Sequence, residues 1–428
     1  MKIKDTIIYL LLLSIATHLN ANQDASESKD SLERIHSVRQ VIDEGSKVEQ
    51  KDVSAVDAFK GMFSDAKVVG QIRSISAGYS HKQKGVSDTY ATALGGALKY
   101  ELASLNGFNA AFGVLVSNDI AWASGEKQKH NDELSSSTGD YVSASEAYVN
   151  YKYEGLNIRA GRQLIDTPLA DSDDIRMIAN TFEGYVATYD VEEYSFFGAK
   201  IQKWQGVDAS LDEGWQKLGK NGVDIIGLSY ATKYTYFNTW YYSISGLTNA
   251  IYLDGGIDFD LAKDLFIHAD LQYISESELE GSGVSATIYG AFAEVILDKL
   301  SVNIAYNKAH EHKNKESFSG IGGGSLYTSM DTMIIDEIAK DRDAQAYVMG
   351  MVYTFEKLNM LYAVGNFKGE KNSLGKKQDL LEQDMGFEYN YDEDFTLTGL
   401  YVISRDLQNT AKTSFDWDRF QMMFTYQF

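Results

Sequence analysis

The last eleven residues of the chain, 418–428, alternate between two kinds of side chain. From 420 onwards, one parity holds only large apolar residues: Phe420, Met422, Phe424, Tyr426 and Phe428. Successive side chains of a β-strand point to opposite faces, so this segment predicts a strand with one apolar and one mainly polar face. Such a strand leaves unpaired backbone groups along its edge unless it closes onto another strand. We therefore expect it to close an outer-membrane β-barrel and, through Phe428, to engage the barrel-assembly machinery.

The opposite end of the chain predicts export. Lys2 and Lys4 precede an apolar run at 7–13, and the small residue Ala21 follows at a suitable cleavage position. A membrane-anchoring helix is the alternative, but this run is shorter than the roughly 20 residues that span a bilayer. Residues 1–21 are therefore expected to be a secretory signal peptide.

The composition favours many long strands. The sequence contains no apolar run of about 18 residues, so no transmembrane helix is expected. The chain has 28 Tyr and 36 Gly but one Pro and no Cys. Proline cannot donate to a strand ladder and tyrosine is common at membrane interfaces. The net charge of -22 argues against a nucleic-acid partner.

Residues 67–428 are predicted to form an all-β fold, a transmembrane antiparallel β-barrel. We count eighteen strands in this range, and sixteen are possible if two weak segments are not strands. Very short turns alternate with longer connections, which is the arrangement of outer-membrane barrels. The longest connections are 119–143, 164–182, 206–221, 311–343 and 370–380.

Parity within the strands assigns a set of carboxylates to the barrel interior. In these strands the apolar residues share one parity, and a charge on the lipid face costs about 2–4 kcal/mol at the membrane midplane. The assignment stays open in 284–297, where Phe292 and Glu294 share a parity. A soluble β-sandwich or barrel is the alternative. The inward acidic lining is predicted to be Asp254, Asp258, Asp260, Asp270 and Glu388.

Residues 22–66 differ from the rest, since they are charged and lack the β alternation. Apolar residues at 32, 35, 38 and 42 fit one face of a helix, and 55–63 fits a second, short helix. We expect a periplasmic or lumenal segment that is partly helical. The sharper alternatives are a helix that enters the lumen, self-associates or contacts the cell wall.

The connection after Arg162 is the best candidate for a pore constriction. Segment 161–184 contains Pro168, the only proline, which favours a fixed path for the loop. It combines carboxylates and arginines with Leu164, Leu169 and Met177. This mixture suits a loop that folds inward against a barrel wall and sets what passes.

The same segment resembles the third-loop region of the OprD-type outer-membrane porins. The resemblance lies in Gly-Arg-Gln at 161–163, Pro-Leu at 168–169, Asp-x-Arg-Met at 174–177 and Asn-Thr-Phe-Glu-Gly at 180–184. The Gly-rich segment 320–330 also resembles a long inward loop of that family. The sequence departs from the pattern at Ile178-Ala179, where a proline is common, and in its few interior arginines. The resemblance implies an eighteen-stranded barrel for selective passive uptake of small carboxylate-bearing or cationic nutrients, such as amino acids.

Three arginines have inward parity and partly match the basic ladder of that family: Arg73, Arg159 and Arg419. Arginines on one wall opposite loop carboxylates would create a transverse field that orients dipolar solutes. Ordinary structural ion pairs are the alternative. Arg162 has the opposite parity and is therefore a weaker candidate for the constriction than the other three arginines. The loop residues that complete the candidate constriction are Asp166, Asp173, Asp174 and Arg176.

No motif in the sequence supports a catalytic site, a metal site or a cofactor. The leading hypothesis is a porin of the cell outer membrane for passive diffusion of ions, amino acids or small organic acids, with cation preference and no enzyme activity. Expected partners are membrane lipid and lipopolysaccharide, small solutes and a possible homotrimer. The alternatives are a surface adhesin or structural envelope barrel and, with less support, a barrel hydrolase.

Overall fold

The computed structural model describes residues 55–123, 131–323, 325–409 and 411–428. The expected signal peptide 1–21 and residues 22–54 of the charged segment lie outside the described residues. The chain enters the described part through helix α1 (Ala55–Ser64). Among the described residues, no helix is long and apolar enough to cross a membrane.

The predicted barrel of eighteen antiparallel strands is confirmed. The strands are β1 (Lys67–His81), β2 (Thr89–Glu101), β3 (Phe108–Asp119), β4 (Asp140–Tyr153), β5 (Leu156–Gln163), β6 (Thr181–Val191), β7 (Tyr194–Gln205), β8 (Val223–Ala231), β9 (Thr235–Ile244), β10 (Thr248–Ala262), β11 (Leu265–Glu278), β12 (Ala286–Leu297), β13 (Leu300–Ala309), β14 (Ala344–Phe355), β15 (Leu358–Gly369), β16 (Gln378–Asn390), β17 (Phe395–Asp406) and β18 (Trp417–Gln427). Each strand pairs with its neighbours in sequence. Shorter elements are the one-turn helix α2 (Ile335–Ile338), a 3-10 turn (Ala121–Ala123), a two-residue ladder (Asp166–Thr167 with Ala170–Asp171) and a two-residue strand (Gln216–Lys217) beside β7.

The last strand closes the barrel against the first. β18 pairs antiparallel with β1 from Gln71 opposite Gln427 to His81 opposite Trp417. The terminal residue continues this ladder, since Gly70 N–H donates to Phe428 O at 2.9 Å and Phe428 N–H donates to Gly70 O at 3.0 Å. The strand that the terminal alternation predicted therefore has both of its edges paired.

Short turns lie at one rim of the barrel and long loops at the other. Several tight turns place a non-glycine residue in the left-handed region, where Asn and Asp are the usual non-glycine residues; the residues are Asn106, Glu154, Glu192, Asp298 and Glu356. We name four of the long loops by their order along the chain. They are L2 (120–139), L3 (164–180), L4 (206–222) and L7 (310–343).

The alternation along the strands sorts side chains as predicted. The apolar parity of β18 is exposed on the outer wall, whereas Arg419, Gln421 and Thr425 are buried on the inner wall. In β12 both Phe292 and Glu294 are buried in the interior, and the β11–β12 register runs without a shift. Both residues of the shared parity in 284–297 therefore face the interior, and no bulge separates them.

Substitutions can test whether the outer wall of the barrel faces lipid. Leu271 lies at the middle of β11 and is 70% exposed, whereas Leu374 lies in the loop after β15 and is 77% exposed. We expect Leu271→Lys to lower the free energy of unfolding by about 2–4 kcal/mol in lipid vesicles, because it places a charge at the midplane of the hydrocarbon. Leu374→Lys, the same exchange at similar exposure in a loop, is expected to have little effect. Equal effects in guanidinium titrations of the two variants would contradict a lipid-facing wall.

Candidate constriction inside the barrel

Loop L3 crosses the interior of the barrel. On one side Met177 and Ile178 are buried against the inward residues Ile75 and Leu115 of β1 and β3. On the other side Leu169 N–H donates to the hydroxyl of Tyr242, on the inward face of β9, at 3.2 Å. Leu169 and Met177, two of the three apolar residues that the sequence singled out in this loop, thus pack on inner walls, which fixes the loop across the lumen.

L3 is joined to L7 by backbone hydrogen bonds. Ile321 N–H donates to Leu169 O at 3.0 Å, and Asp171 N–H donates to Ile321 O at 2.9 Å. Glycine is required next to this junction, because a Cβ atom at Gly322 would lie 2.2 Å from Asp171 O and 2.6 Å from Asn180 Nδ2. The two inward loops therefore form one continuous structure across the barrel.

L7 is held to the wall along its length by polar side chains of the strands. The carboxamide oxygen of Asn307 accepts from Thr328 N–H at 2.9 Å and from the Thr328 hydroxyl at 3.0 Å. Further along, Asp384 accepts from Asp331 N–H at 3.2 Å, and Glu382 accepts from Thr332 N–H at 3.0 Å. These contacts carry the loop across the interior from β13 to β16.

Arg419 of β18 ties two loops to the wall. Its guanidinium donates to Asp331 of L7 at 2.7 Å and to Glu133 of L2 at 2.9 Å. It also donates to Gln421 at 2.7 Å and lies 5.6 Å from the centre of the Tyr79 ring. Both Arg419 and Asp331 have side chains without solvent exposure. A buried charge needs a partner of opposite sign, so each loop carboxylate is fixed by the arginine and fixes it in turn.

Arg73 of β1 ties L3 to the same wall. It donates to the Asp174 carboxylate at 2.8 Å and to the carbonyl oxygen of Arg176 at 2.5 Å. The side chain of Arg176 then reaches Asp331 at 3.4 Å and Gln421 at 3.2 Å. Arg73, Arg176 and Arg419 are thereby brought together with carboxylates from L2, L3 and L7, and we call this set the arginine cluster.

The positive charge of the cluster lowers the pKa of Glu133. Burial alone raises the pKa of a carboxyl group because it penalises the charged form. For Glu133 the guanidinium groups of Arg419 and Arg176 outweigh burial and lower the pKa to about 2. The Tyr79 hydroxyl donates a further hydrogen bond to it at 2.9 Å. L2 is therefore held by an ionised carboxylate over the whole neutral range.

Two further arginines of the sequence prediction lie outside the cluster. Arg159 is buried on the inner wall, where its guanidinium stacks 4.0 Å from the centre of the Tyr148 ring and donates to Asn150 at 3.3 Å. Arg162 lies on the outer wall at the long-loop end, where it pairs with Glu183 at 3.1 Å and lies 4.6 Å from the Trp215 ring. The opposite parity of Arg162 thus places it away from the lumen.

The loop carboxylates divide into two groups. Asp174 joins the arginine cluster, whereas Asp166 and Asp173 lie beside Asp171 and Asp208. Burial raises the pKa of Asp166 to about 7 and raises that of Asp173 well above its usual range. The sequence placed Asp166, Asp173 and Asp174 opposite wall arginines. Of these three, Asp174 pairs with a wall arginine, and Asp166 and Asp173 lie beside Asp171 instead.

Four of the five predicted lining acids are at least half-buried on the inner wall, and one lies near the short-turn rim. Asp254 and Glu388 contact amides, at 3.3 Å from Asn238 Nδ2 and 3.2 Å from Asn359 Nδ2. His268 lies between Asp258, at 2.6 Å, and Asp270. Asp260 is exposed near the short-turn rim. Within the described ranges, no group of three or more His, Cys, Asp or Glu residues is arranged to hold a metal ion.

A small cavity of ≈ 60 Å³ lies between L3 and the inner wall of β1–β4. Its lining includes Gln71, Lys99 and Glu146 from the strands and Leu164 and Asp174 from the loop. Lys99 and Glu146 form an ion pair across it at 3.7 Å. The cavity places charges of both signs beside the loop, next to the Asp174 that Arg73 holds.

Sequence reasoning missed two residues of the cluster, Glu133 and Asp331, and it missed Tyr79, which contacts the cluster. Tyr79 shares the inward parity of Arg73 and could have been found by extending that parity along β1. Asp331 directly follows the Gly-rich segment 320–330, which is a weaker clue. Glu133 lies in a polar loop without any pattern, so the sequence carries no clue to its place.

Comparison with known proteins identifies the fold. No protein-family model matches the chain, and no curated protein matches it. Solved structures do match: OccAB1 of Acinetobacter baumannii aligns with a TM-score of 0.73 at 13% identity, covering 86% of this chain and 98% of that one. OpdK with vanillate, from Pseudomonas aeruginosa, aligns with a TM-score of 0.70 at 14% identity, covering 86% and 100%.

A third structure, OpdQ of Pseudomonas aeruginosa, gives a TM-score of 0.69 at 14% identity, covering 86% of this chain and 99% of that one. These proteins are OprD-family outer-membrane channels. At this level of identity the likeness is one of fold. It confirms the eighteen-stranded barrel that the resemblance in L3 implied.

The ionised state of Glu133 predicts how L2 responds to acid. Its pKa is about 2 in the folded protein, below the usual 4.5, so its contribution to loop docking is complete above pH 4.5 and is lost as the pH falls towards 2. Leu134, which is fully buried, should become accessible to pepsin only near pH 2. Exposed Leu374 serves as the internal control, since it should be cut at every acidic pH. Rapid cleavage at Leu134 already at pH 4 would contradict the assignment.

Proposed function

We propose that this protein is an outer-membrane channel for passive diffusion of small hydrophilic solutes such as ions, amino acids and small organic acids. One observation carries the proposal: inside a closed barrel, loops from three different connections meet at fully buried wall arginines. A barrel of this size encloses an aqueous lumen unless it is filled. Charged loops that narrow such a lumen are a device for selecting solutes.

The location in the outer membrane has separate support. The outward parity of β18 is apolar to its end, and aromatic side chains are exposed on the outer wall. Lipid-facing barrel walls have this composition. The relatives in fold are outer-membrane channels rather than enzymes, and the first 21 residues fit an export signal.

The proposed constriction is built jointly by L3 and L7, with L2 as a third contributor. Arg73 and Arg176 lie close to Asp174 and Asp331, and the side chains of Asp174 and Arg176 are partly exposed, so charges of both signs face the proposed passage. A field between opposite charges orients a zwitterion, whose amino and carboxylate ends are attracted to opposite sides. This arrangement favours amino acids and similar dipolar solutes over neutral ones of the same size.

We further propose that the channel prefers cations. The arginines of the cluster are each paired with a carboxylate, so their charge is largely compensated. Asp254 and Glu388 on the lumen wall face neutral amides instead. The chain as a whole carries -22. Carboxylates without a cationic neighbour attract small cations into the lumen and repel anions.

Charge selectivity is tested by reversal potential. The refolded protein in a planar bilayer, under a salt gradient, should give stable conductance steps and a reversal potential of the sign for cations. The double variant Asp254→Asn with Glu388→Gln, compared at alkaline pH where both carboxyl groups are ionised, should move that potential towards zero, because it removes two negative charges from the inner wall. Glu370→Gln, which neutralises an exposed acid paired with Lys377 at 3.0 Å, is the control. Anion selectivity of the unmodified protein would contradict the preference for cations.

The role of the arginine cluster is tested by Arg419→Gln. Removing one partner of a buried ion pair costs about 3–5 kcal/mol, so Asp331 and Glu133 should no longer hold L7 and L2 to the wall. We expect a larger mean conductance and more frequent transitions between conductance levels. Lys377→Gln removes one positive charge from an exposed pair and should behave as the unmodified protein. Unchanged conductance of correctly folded Arg419→Gln would show that the cluster does not limit flow.

A further inference from the structure

Helix α1 is docked on the outside of the barrel at the short-turn rim. Ala103 N–H, in the β2–β3 turn, donates to Met62 O at 2.9 Å. The hydroxyl of Tyr100 donates to Phe63 O at 3.1 Å, and Tyr100 belongs to the outward parity of β2. These two contacts fix the end of α1 next to the outer wall. The alternative of a helix that enters the lumen therefore does not describe α1.

The side chains of α1 divide cleanly between two faces. At 3.6 residues per turn, all of its large apolar residues fall within an arc of about 120°. Met62, at one edge of this arc, is buried against the barrel. The polar side begins about 40° beyond Val56. It carries Lys60 and Asp57, which form an ion pair at 3.6 Å. α1 is therefore an amphipathic helix with its apolar face only partly covered.

The uncovered part of that face is aromatic. Phe59 is 57% exposed and Phe63 is 49% exposed, and their rings meet edge to face at 5.4 Å. Val56 is 63% exposed on the same arc. Such a patch of large apolar side chains on one side of a helix indicates an interaction surface.

The patch continues the outer wall of the barrel. The outward residues of the neighbouring strands that lie towards the same rim are apolar and exposed; they are Val68, Leu98, Tyr100 and Phe108. The hydrogen bond from Tyr100 to Phe63 joins the helix directly to this wall. Whatever solvent covers the wall therefore extends to the aromatic face of α1.

We propose that α1 is an interfacial anchor whose Val56, Phe59 and Phe63 side chains are immersed in the lipid leaflet at the short-turn rim. This inference rests on the proposed membrane location of the barrel. An amphipathic helix of this kind lies in the plane of the membrane with its apolar face about 5–10 Å into the headgroup and acyl boundary. Aromatic side chains are favoured at that depth. The Asp57–Lys60 pair faces the aqueous side.

The absence of cysteine from the sequence allows single-site labelling of the full-length mature protein in liposomes. Three variants each receive one environment-sensitive fluorophore: Phe59→Cys on the aromatic face, Lys60→Cys on the polar face and Phe112→Cys on the outer wall of β3. Quenching is measured with lipids that carry a nitroxide at a shallow or a deep position, and with aqueous iodide. Phe63→Cys repeats the measurement on the same face if Phe59→Cys folds poorly.

The label at 59 should be quenched by shallow nitroxide lipid at least about twofold more than the label at 60, since only the former side chain is expected within the membrane. The label at 60 should respond mainly to iodide. The inference is overturned if the label at 59 responds to iodide as the label at 60 does, or if it responds to neither quencher. The second result would place protein over the patch, from another copy or from residues 22–54.

The label at 112 separates this inference from the proposed location of the barrel. It should be quenched by deep nitroxide lipid, because Phe112 is exposed near the middle of the outer wall of β3. Quenching at 112 without quenching at 59 would reject the anchor and keep the membrane barrel. Absence of lipid quenching at 112 would reject the membrane location itself.

Discussion

The pairing of β18 with β1 is the interaction on which the rest of this structure depends. Backbone N–H and C=O groups within a bilayer have no water to bond, so every strand edge must be paired. The ladder from Gln71–Gln427 to His81–Trp417, extended by Gly70 and Phe428, removes the last two edges. It also places Arg73, opposite Thr425, and Arg419, opposite Tyr79, on adjacent strands of the inner wall. Closure therefore builds the wall to which the interior loops attach.

The interior is organised by the cost of burying charge. Arg73 and Arg419 are fully buried, and a guanidinium in that state requires carboxylate partners. Asp174, Glu133 and Asp331 meet this requirement from three different loops. The arginines therefore select the loop conformation that brings carboxylates to the wall. The same contacts therefore fit both interpretations of these charges. They are structural ion pairs, and they also place charges where selectivity is proposed to arise.

The fold could be read from the sequence to a large extent because strand periodicity is a local property. Eighteen strands, the closing strand and the inward parity of Arg159 all follow from a repeat of two residues. The inward packing of L3 was suggested by its apolar residues, of which Met177 and Leu169 became buried. The interpretation of 284–297 stayed open because Phe292 packs in the interior against Tyr327 of L7, at 5.9 Å between ring centres. Periodicity alone does not distinguish an interior lined by a loop from one lined by water.

The contacts within the arginine cluster could not be read in the same way, because they join residues far apart in sequence. Arg419 and Glu133 are 286 residues apart, and Arg176 and Asp331 are 155 residues apart. Irregular loops have no period from which such pairs could be deduced. The sequence therefore supplied the residue types on each wall, whereas their partners depended on the path of each loop in three dimensions.

The backbone junction between L3 and L7 reduces the number of independent movements available to the interior. Ile321 donates to and accepts from residues of L3, and Gly322 lies too close to Asp171 to be displaced by itself. A shift of either loop would break these contacts unless the other loop moved with it. We therefore expect L3 and L7 to move as one unit rather than independently. Sequence drift at this junction is constrained in the same way, because a side chain at 322 would require the paths of both loops to change together.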